Sequence, residues 1–156
     1  MQNGMGNDNN TYTTIEGSPD STVISKLLEL YVETFSDADA EFFKQRISDH
    51  SKLYTVLVFH DEQLIGFKIG YPYNETTFYS WIGGVQTGFR KQGIGSKLAE
   101  LQENFAKKEG YKKLRTKSMN AYKPMMILNL KNGFDITKFY TNTKGQTKIV
   151  FEKDLT

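Results

Sequence analysis

The segment GGVQTGFRKQGIGSKLAEL, residues 83–101, constrains this chain more than any other stretch. It begins like a β-strand, crosses a loop of glycines and basic residues, and continues as an amphipathic helix. The first N–H groups of a helix lack internal partners, and the helix dipole places partial positive charge there. Gly93 and Gly95 leave room for a ligand, and Arg90 and Lys91 add positive charge. The joint therefore predicts an anion site, most simply for phosphate.

The competing interpretation is a loop whose glycines serve only tight packing. Two other phosphate motifs fit the segment less well. The dinucleotide fingerprint requires three glycines near the start of a βαβ unit, whereas three strand-like runs precede this loop. A P-loop ends in Gly-Lys followed by Ser or Thr, and Gly95-Ser96-Lys97 inverts that ending.

Composition excludes several classes of function. The chain has 156 residues, enough for one domain with a substantial core, and a net charge of only +2. We therefore expect neither nucleic acid nor an anionic membrane as a partner. The absence of cysteine removes disulfides, thiolate metal ligands and a cysteine nucleophile. His50 and His60 lie in apparent loops, which argues against a Ser-His-Asp site and against a metal site.

The N-terminal residues predict a flexible tail over 1–10, followed by a single domain over 11–156. The tail is polar and rich in Asn and Gly, and it lacks the charged-then-apolar plan of a signal peptide. No apolar run reaches the length of a membrane span. We expect a cytoplasmic protein.

Hydrophobic periodicity predicts the element order β-α-α-β-β-β-α-β-α-β-β. The first helix can be capped by Asp20 or Ser21, and Ser36 and Asp39 have capping-box spacing at the second. The adjacent glycines in SWIGGVQT indicate a bulge or a close backbone approach in the fourth strand. The final strands form a hairpin that turns near residues 144–145.

The third helix, within residues 93–110, has the clearest amphipathic pattern. Its apolar stripe consists of Ile94, Leu98, Leu101 and Phe105. Gly110 can form its C-cap. The fourth helix is short, with Pro124 in its first turn and Gly133 at its end.

The stretch RKQGIGSKL resembles the pyrophosphate-binding motif [RQ]-x-x-G-x-[GA] of the GNAT superfamily of N-acetyltransferases. Arg90, Gly93 and Gly95 occupy its three defined positions. The element order from about Thr11 onward is similar to that of the family, and KNGF at 131–134 matches a common ending of the helix after the fifth strand. The resemblance implies a GNAT-like α/β fold (α+β), with a mixed, mostly antiparallel sheet of about seven strands flanked by about four helices.

The resemblance also implies acetyl-CoA as cofactor, bound where the fourth and fifth strands splay apart. The strand backbone would hold the acyl group and pantetheine arm, the loop N–H groups would hold the pyrophosphate, and an asparagine after the fifth strand would contact the pantetheine. The implied cofactor-binding residues are Gly83, Val85, Thr87, Arg90, Lys91, Gln92, Gly93, Ile94, Gly95, Ser96 and Asn120. Val85 as a core residue and Asn120 as a turn former are the alternatives.

The catalytic residues stay open because the chain departs from the family pattern. Tyr79 lies close to the position where many members carry a glutamate base, and Asn129 replaces the usual tyrosine that protonates the thiol. Tyr122 and Tyr140 are substitutes by type, not by position, and Glu75 is the nearest acid, although a solvated turn residue is the favoured interpretation of Glu75.

The expected function is an acetyl-CoA-dependent N-acetyltransferase that moves an acetyl group directly to a primary amine of a small molecule or protein. The alternative is a non-catalytic acyl-CoA-binding regulatory module, favoured by the missing glutamate and tyrosine. The sequence does not distinguish between classes of acceptor, and it leaves a homodimer open.

Overall fold

The computed structural model describes residues 9–156 and contains the predicted order of seven strands and four helices. The strands are β1 Asn10–Glu16, β2 Tyr54–His60, β3 Gln63–Pro72, β4 Thr77–Val85, β5 Lys113–Met119, β6 Asp135–Thr141 and β7 Thr147–Asp154. The helices are α1 Ser21–Thr34, α2 Ala40–Asp49, α3 Ile94–Lys108 and α4 Lys123–Lys131. Within residues 9–156, no helix has the length and apolar character needed to cross a membrane.

The strands form one sheet in the order β1-β2-β3-β4-β5-β7-β6. The pairs β1–β2, β2–β3, β5–β7 and β6–β7 are antiparallel, and β4–β5 is parallel. The prediction of a mixed, mostly antiparallel sheet is confirmed. Most of the predicted tail, residues 1–8, lies outside the described residues, and Asn10 already belongs to β1.

The chain divides into two compact units, which we call the N-unit and the C-unit. Among the described residues, the N-unit contains 9–71 together with Ile82–Asn104, and the C-unit contains Pro72–Trp81 and Phe105–Thr156. The prediction of a single domain over 11–156 stays a prediction.

Aspartate caps begin the first two helices of the N-unit. The carboxylate of Asp20 accepts a hydrogen bond from Val23 N–H at 2.9 Å, so Asp20 is the predicted N-cap of α1. Asp39 Oδ1 accepts from Phe42 N–H at 3.1 Å and caps α2. The capping box with Ser36 as N-cap was wrong, because Ser36 lies in the preceding turn and the helix begins after Asp39.

Packing in the N-unit centres on rings and aliphatic side chains from α1, α2 and β3. Tyr31 stacks on Phe43 with ring centroids 4.3 Å apart, and Phe43 meets Phe67 edge-on at 6.4 Å. Burying such rings is a large part of the stability of a domain of this size.

The apolar stripe of α3 differs in part from the prediction. Ile94 and Leu98 are buried as expected, but the next buried positions are Gln102 and Ala106, while Leu101 and Phe105 are only half-buried. The observed spacing of four residues follows one side of the helix closely. The hydrophobic pattern of the sequence did not predict this buried face, because its third position, Gln102, is polar.

Helix α3 ends as predicted, with Gly110 in the left-handed region at φ 89°. The N–H of Gly110 bonds the carbonyl of Lys107 at 3.1 Å, and that of Tyr111 bonds the carbonyl of Ala106 at 3.0 Å. This pair of bonds is a Schellman motif.

In the C-unit, β5 lies between β4 and β7. The register pairs Phe78 with Leu114, and the Phe78 ring contacts Phe105 and Tyr111 at centroid distances of 5.8 and 5.4 Å. The β6–β7 hairpin turns at Gly145, whose φ is 79°, as predicted.

Helix α4 has the predicted ends and an unexpected face. Pro124 lies in its first turn, and Gly133 follows its last turn at φ 90°. Its buried residue is the polar Asn129, at 9% exposure. Its exposed apolar residues are Met125, Ile127, Leu128 and Leu130.

Candidate active site

The predicted cofactor-binding residues other than Asn120 lie along one continuous segment of the N-unit. Residues 83–85 end β4, a 3-10 turn covers Thr87–Phe89, and α3 begins at Ile94. Two hydrogen bonds fix the exit of β4. Gln86 N–H donates to Ile65 O at 2.7 Å, and Arg90 Nε donates to Val85 O at 2.9 Å. The carbonyl of Val85 is therefore used within the protein.

The start of α3 presents its backbone donors in the exposed part of the segment. The helix ladder begins with Lys97 N–H, which donates to Gly93 O at 3.1 Å. The N–H groups of Ile94, Gly95 and Ser96 come before it, where a helix has no internal acceptors. The Ile94 side chain is buried and anchors the helix, while the residues around it are exposed. This arrangement can bind an anion through backbone donors.

The two glycine pairs of this segment differ in the space around them. A Cβ on Gly93 or Gly95 would meet nothing within 4 Å, so packing does not require these glycines. Gly93 has a φ of 82°, which favours glycine, but packing and backbone angle leave Gly95 unexplained. In contrast, a Cβ on Gly83 would lie 3.1 Å from Phe67 O, and one on Gly84 would lie 3.1 Å from Thr34 Cγ2. Backbone atoms of β3 therefore lie close at Gly83, as predicted, whereas the close neighbours of Gly84 are side chains.

Lys68 on β3 is a titratable residue that the sequence analysis missed. Burial lowers the pKa of its ammonium from 10.5 to about 8. Its Cγ lies 3.3 Å from the point where a Gly83 Cβ would be, so its stem fills space beside that glycine. A single charged residue inside the apolar run LIGFKIG was the available signal.

The candidate catalytic residues lie in the C-unit, together with Asn120. Glu75 is exposed in the turn before β4, and Tyr79 is half-buried on β4. Asn120 begins a short 3-10 turn, where its carbonyl accepts a hydrogen bond from Lys123 Nζ at 2.9 Å. Tyr122 ends that turn half-buried. The roles of these residues stay predictions.

The backbone pairing of β4 with β5 is short and ends at Tyr79. It pairs Thr77, Phe78 and Tyr79 with residues 113–115. One residue further along β5, the side chain of Thr116 donates to the carbonyl of Ser80 at 2.8 Å. A side-chain hydrogen bond thus follows the last backbone pair.

Residues 22–134 match the model of the acetyltransferase (GNAT) family. The matched region includes the glycine loop, β5 and α4. This chain belongs to the GNAT family. It is therefore an acetyltransferase with acetyl-CoA as its acetyl donor.

Solved structures of the family share the fold. A GNAT acetyltransferase from Elizabethkingia anophelis, with acetyl-CoA bound, is 24% identical with a TM-score of 0.74, over 94% of this chain and 99% of that one. The ribosomal-protein-S18-alanine N-acetyltransferase of Escherichia coli is 14% identical with a TM-score of 0.77, over 94% and 95%. Ard1 from Thermoplasma volcanium is 14% identical with a TM-score of 0.74, over 92% and 97%.

Proposed function

We propose that this protein transfers the acetyl group of acetyl-CoA directly to the primary amine of a small molecule or protein. The main support for this proposal is the exposed start of α3. There Gly93 and Gly95 leave open space beside backbone N–H groups that have no acceptor within the helix. A phosphate group satisfies both the donors and the helix dipole. The family match supports acetyl-CoA as the source of that phosphate.

The residues of the segment fit the pyrophosphate of acetyl-CoA. The N–H groups from Lys91 to Ser96 would hold it, with the charge of Lys91 nearby. Arg90 uses Nε on Val85 O, which leaves its two terminal nitrogens available to a phosphate. The backbone of Gly83 and Val85, with Thr87, would hold the acyl end. Asn120 would contact the pantetheine.

The chemistry is aminolysis of the thioester that acetyl-CoA supplies. The acceptor amine must lose a proton before it attacks, because an amine of pKa about 10.4 is mostly protonated at neutral pH. A backbone N–H of β4 can stabilise the oxyanion, and such a donor contributes about 3–4 kcal/mol where one has been removed elsewhere. The absence of cysteine supports direct transfer over an acetyl-cysteine intermediate.

Proton transfer has several candidate groups in this chain. Tyr79 is half-buried, whereas Glu75 is exposed, so Tyr79 is better shielded from bulk water. Asn129 is buried but cannot act as a general acid, because an amide does not titrate in this range. It can orient sulfur or water by hydrogen bonding. Tyr122 stays a further candidate.

The alternative function is a non-catalytic acyl-CoA-binding module that regulates a partner. The observation that favours it is Asn129, buried at the position where the family's tyrosine would protonate the thiol. The cytoplasmic location and a homodimer are further proposals that rest on sequence alone.

Turnover separates the two functions. A panel of amines, amino acids, polyamines and peptides would be incubated with acetyl-CoA, and free thiol would be followed with a chromogenic disulfide. We expect acceptor-dependent thiol release from at least one class, and strongly reduced release from a Gly95→Asp variant at subsaturating acetyl-CoA. Acetyl-CoA binding by calorimetry without release across all classes would favour the regulatory module.

A further inference from the structure

Three lysines surround one tyrosine on a single face of the C-unit sheet. Lys148 of β7 is paired in register with Tyr140 of β6, and Val150 is paired with both Lys117 of β5 and Lys138 of β6. Paired residues, and residues two apart on a strand, point to the same face of a sheet. We name Lys117, Lys138, Lys148 and Tyr140 the lysine–tyrosine patch.

The patch presents hydrogen-bond donors without matching acceptors. Lys117 Nζ donates to the Tyr140 hydroxyl at 3.0 Å, which leaves the hydroxyl proton to be donated elsewhere. Lys148 Nζ lies 3.6 Å from Met119 Sδ, a weak acceptor. The ammoniums of Lys117 and Lys138 lie 5.3 and 5.7 Å from the centroid of the Tyr140 ring.

Glu152, the carboxylate two residues beyond Val150 on this face of β7, pairs with Arg115 and Lys113 and not with the patch lysines. Within residues 9–156, the hydrogen bonds and ion pairs of the three lysines include no Asp or Glu. The hydrogen bond from Lys117 lowers the pKa of Tyr140, and the positive charges of Lys117, Lys148 and Lys138 lower it further. Like charges held together repel, so an anion at this place would relieve the repulsion.

The patch shares its sheet face with Tyr79. Tyr79 is paired with Arg115, and Lys117 follows two residues later on the same face of β5. The opposite face carries Phe78, packed against Phe105 and Tyr111 of the segment that ends α3. The patch therefore lies on the face that holds a candidate proton-transfer group.

We propose that the lysine–tyrosine patch binds an oxyanion of the acceptor, so that the acceptor is an amine that also carries a carboxylate or phosphate group. Three ammoniums supply charged donors and the phenol O–H supplies a neutral one, and this combination suits either oxyanion. The inference rests on the proposed acetyl transfer, because it concerns the acceptor of that reaction. The phosphates of CoA are the other source of the same chemistry.

The binding test uses inorganic phosphate titrated into the full chain and followed by amide NMR. We expect shift changes at the patch residues that disappear in a Lys117→Gln/Lys138→Gln/Lys148→Gln variant. Lys144→Gln, in the β6–β7 turn, is the matched control and should leave the changes in place. Changes confined to residues 90–96, or unaltered in the triple variant, would overturn the patch as an oxyanion site.

The kinetic test uses amine pairs that differ in the anion: β-alanine with its amide, and phosphoethanolamine with ethanolamine. We expect the anionic member of at least one pair to have a kcat/KM about tenfold higher, from three partly exposed ion pairs. The triple variant should lose that preference, and Lys144→Gln should keep it. Equal use of both members in both pairs would overturn the acceptor assignment.

Two further measurements distinguish binding of the acceptor at the patch from binding of a CoA phosphate there, and failure of the patch proposal from failure of the proposed acetyl transfer. CoA and 3′-dephospho-CoA would be titrated calorimetrically into the native chain and the triple variant. We expect each ligand to bind the triple variant with the same affinity as it binds the native chain. A loss of affinity in the triple variant for CoA, absent for dephospho-CoA, would assign the patch to the CoA phosphate and overturn the proposal. Phosphate binding at the patch without thiol release from any amine would instead leave the oxyanion site standing and reject the acetyl transfer on which its role rests.

Discussion

Helices α3 and α4 end alike but bury opposite kinds of side chain. Both finish in a Schellman motif closed by a glycine, Gly110 in one and Gly133 in the other. Helix α3 buries an apolar stripe with one polar member, Gln102. Helix α4 buries Asn129 and leaves four large apolar residues exposed.

The difference indicates that packing positions α3, whereas packing alone does not account for α4. Burying an amide costs free energy unless it is hydrogen-bonded, and exposed apolar side chains contribute little to stability. A chain selected only for stability would reverse the pattern of α4. The burial of Asn129 is therefore consistent with a role for its amide beyond stability.

The sharpest test of this contrast compares one leucine from each helix. Leu98 is 2% exposed on α3 and Leu130 is 50% exposed on α4. We expect Leu98→Ala to lower the free energy of unfolding by about 2–5 kcal/mol, through lost contacts and a cavity. Leu130→Ala should change it by less than about 0.5 kcal/mol. Urea unfolding measures both, and equal losses would show that α4 is packed as α3 is.

Lys68 is a second polar residue affected by burial, on the face of β3 that packs against α3. A Cβ on Gly66 would lie 3.5 Å from Ile94 Cγ2, and Lys68 points to the same face of β3. Its folded pKa is about 8, below the usual 10.5, so the unfolded state binds more protons between these values. Stability should therefore rise with pH across that window.

We expect Lys68→Met to stabilise the protein by about 3 kcal/mol below pH 8, because the charged form is no longer desolvated. The advantage should shrink as the pH rises from 8 towards 10.5. Thermal unfolding of both proteins across this range is the measurement, with exposed Lys144→Met as control. An advantage independent of pH would mean that the ammonium is not desolvated in the folded state.

The start of α3 should be sensitive to charge in a way that its buried stripe is not. Gly95→Asp would add a negative charge where the pyrophosphate is proposed to bind, in space that is otherwise open. We expect CoA affinity to fall by at least about 2 kcal/mol, with the stability nearly unchanged. Calorimetry with unchanged CoA affinity in a folded variant would reject the site.

The sequence predicted elements that local chemistry determines. The Asp20 cap, the glycine endings of α3 and α4, and the strand–loop–helix joint each depend on residues close together in the chain. Gln102 was missed because only tertiary packing reveals that a polar residue occupies the buried stripe. The lysine–tyrosine patch was missed because its members meet through strand register, which residue periodicity does not provide.

Asn129 tests whether the unusual face of α4 has a function. If its amide orients the thioester or acceptor, Asn129→Leu should lower kcat about tenfold, a loss of about 1.4 kcal/mol, with acetyl-CoA affinity within about twofold. Leu130→Ala on the same helix is the control. Asn129→Tyr should also lower kcat. A rise in turnover with tyrosine would show instead that the position lacks only a proton donor.

The smallest expected effect concerns Gln102, the polar residue in the otherwise apolar buried stripe of α3. Its side chain is 1% exposed, and Nε2 has no hydrogen-bond partner within residues 9–156. An unsatisfied buried donor costs about 1–3 kcal/mol, and methionine has a similar shape without it. We expect Gln102→Met to raise the free energy of unfolding by about 1 kcal/mol, while exposed Asn104→Met changes it by less than about 0.5 kcal/mol. A loss of stability in Gln102→Met would mean that the amide satisfies its donors in solution, and that the polar residue of α3 contributes to packing as Leu98 does.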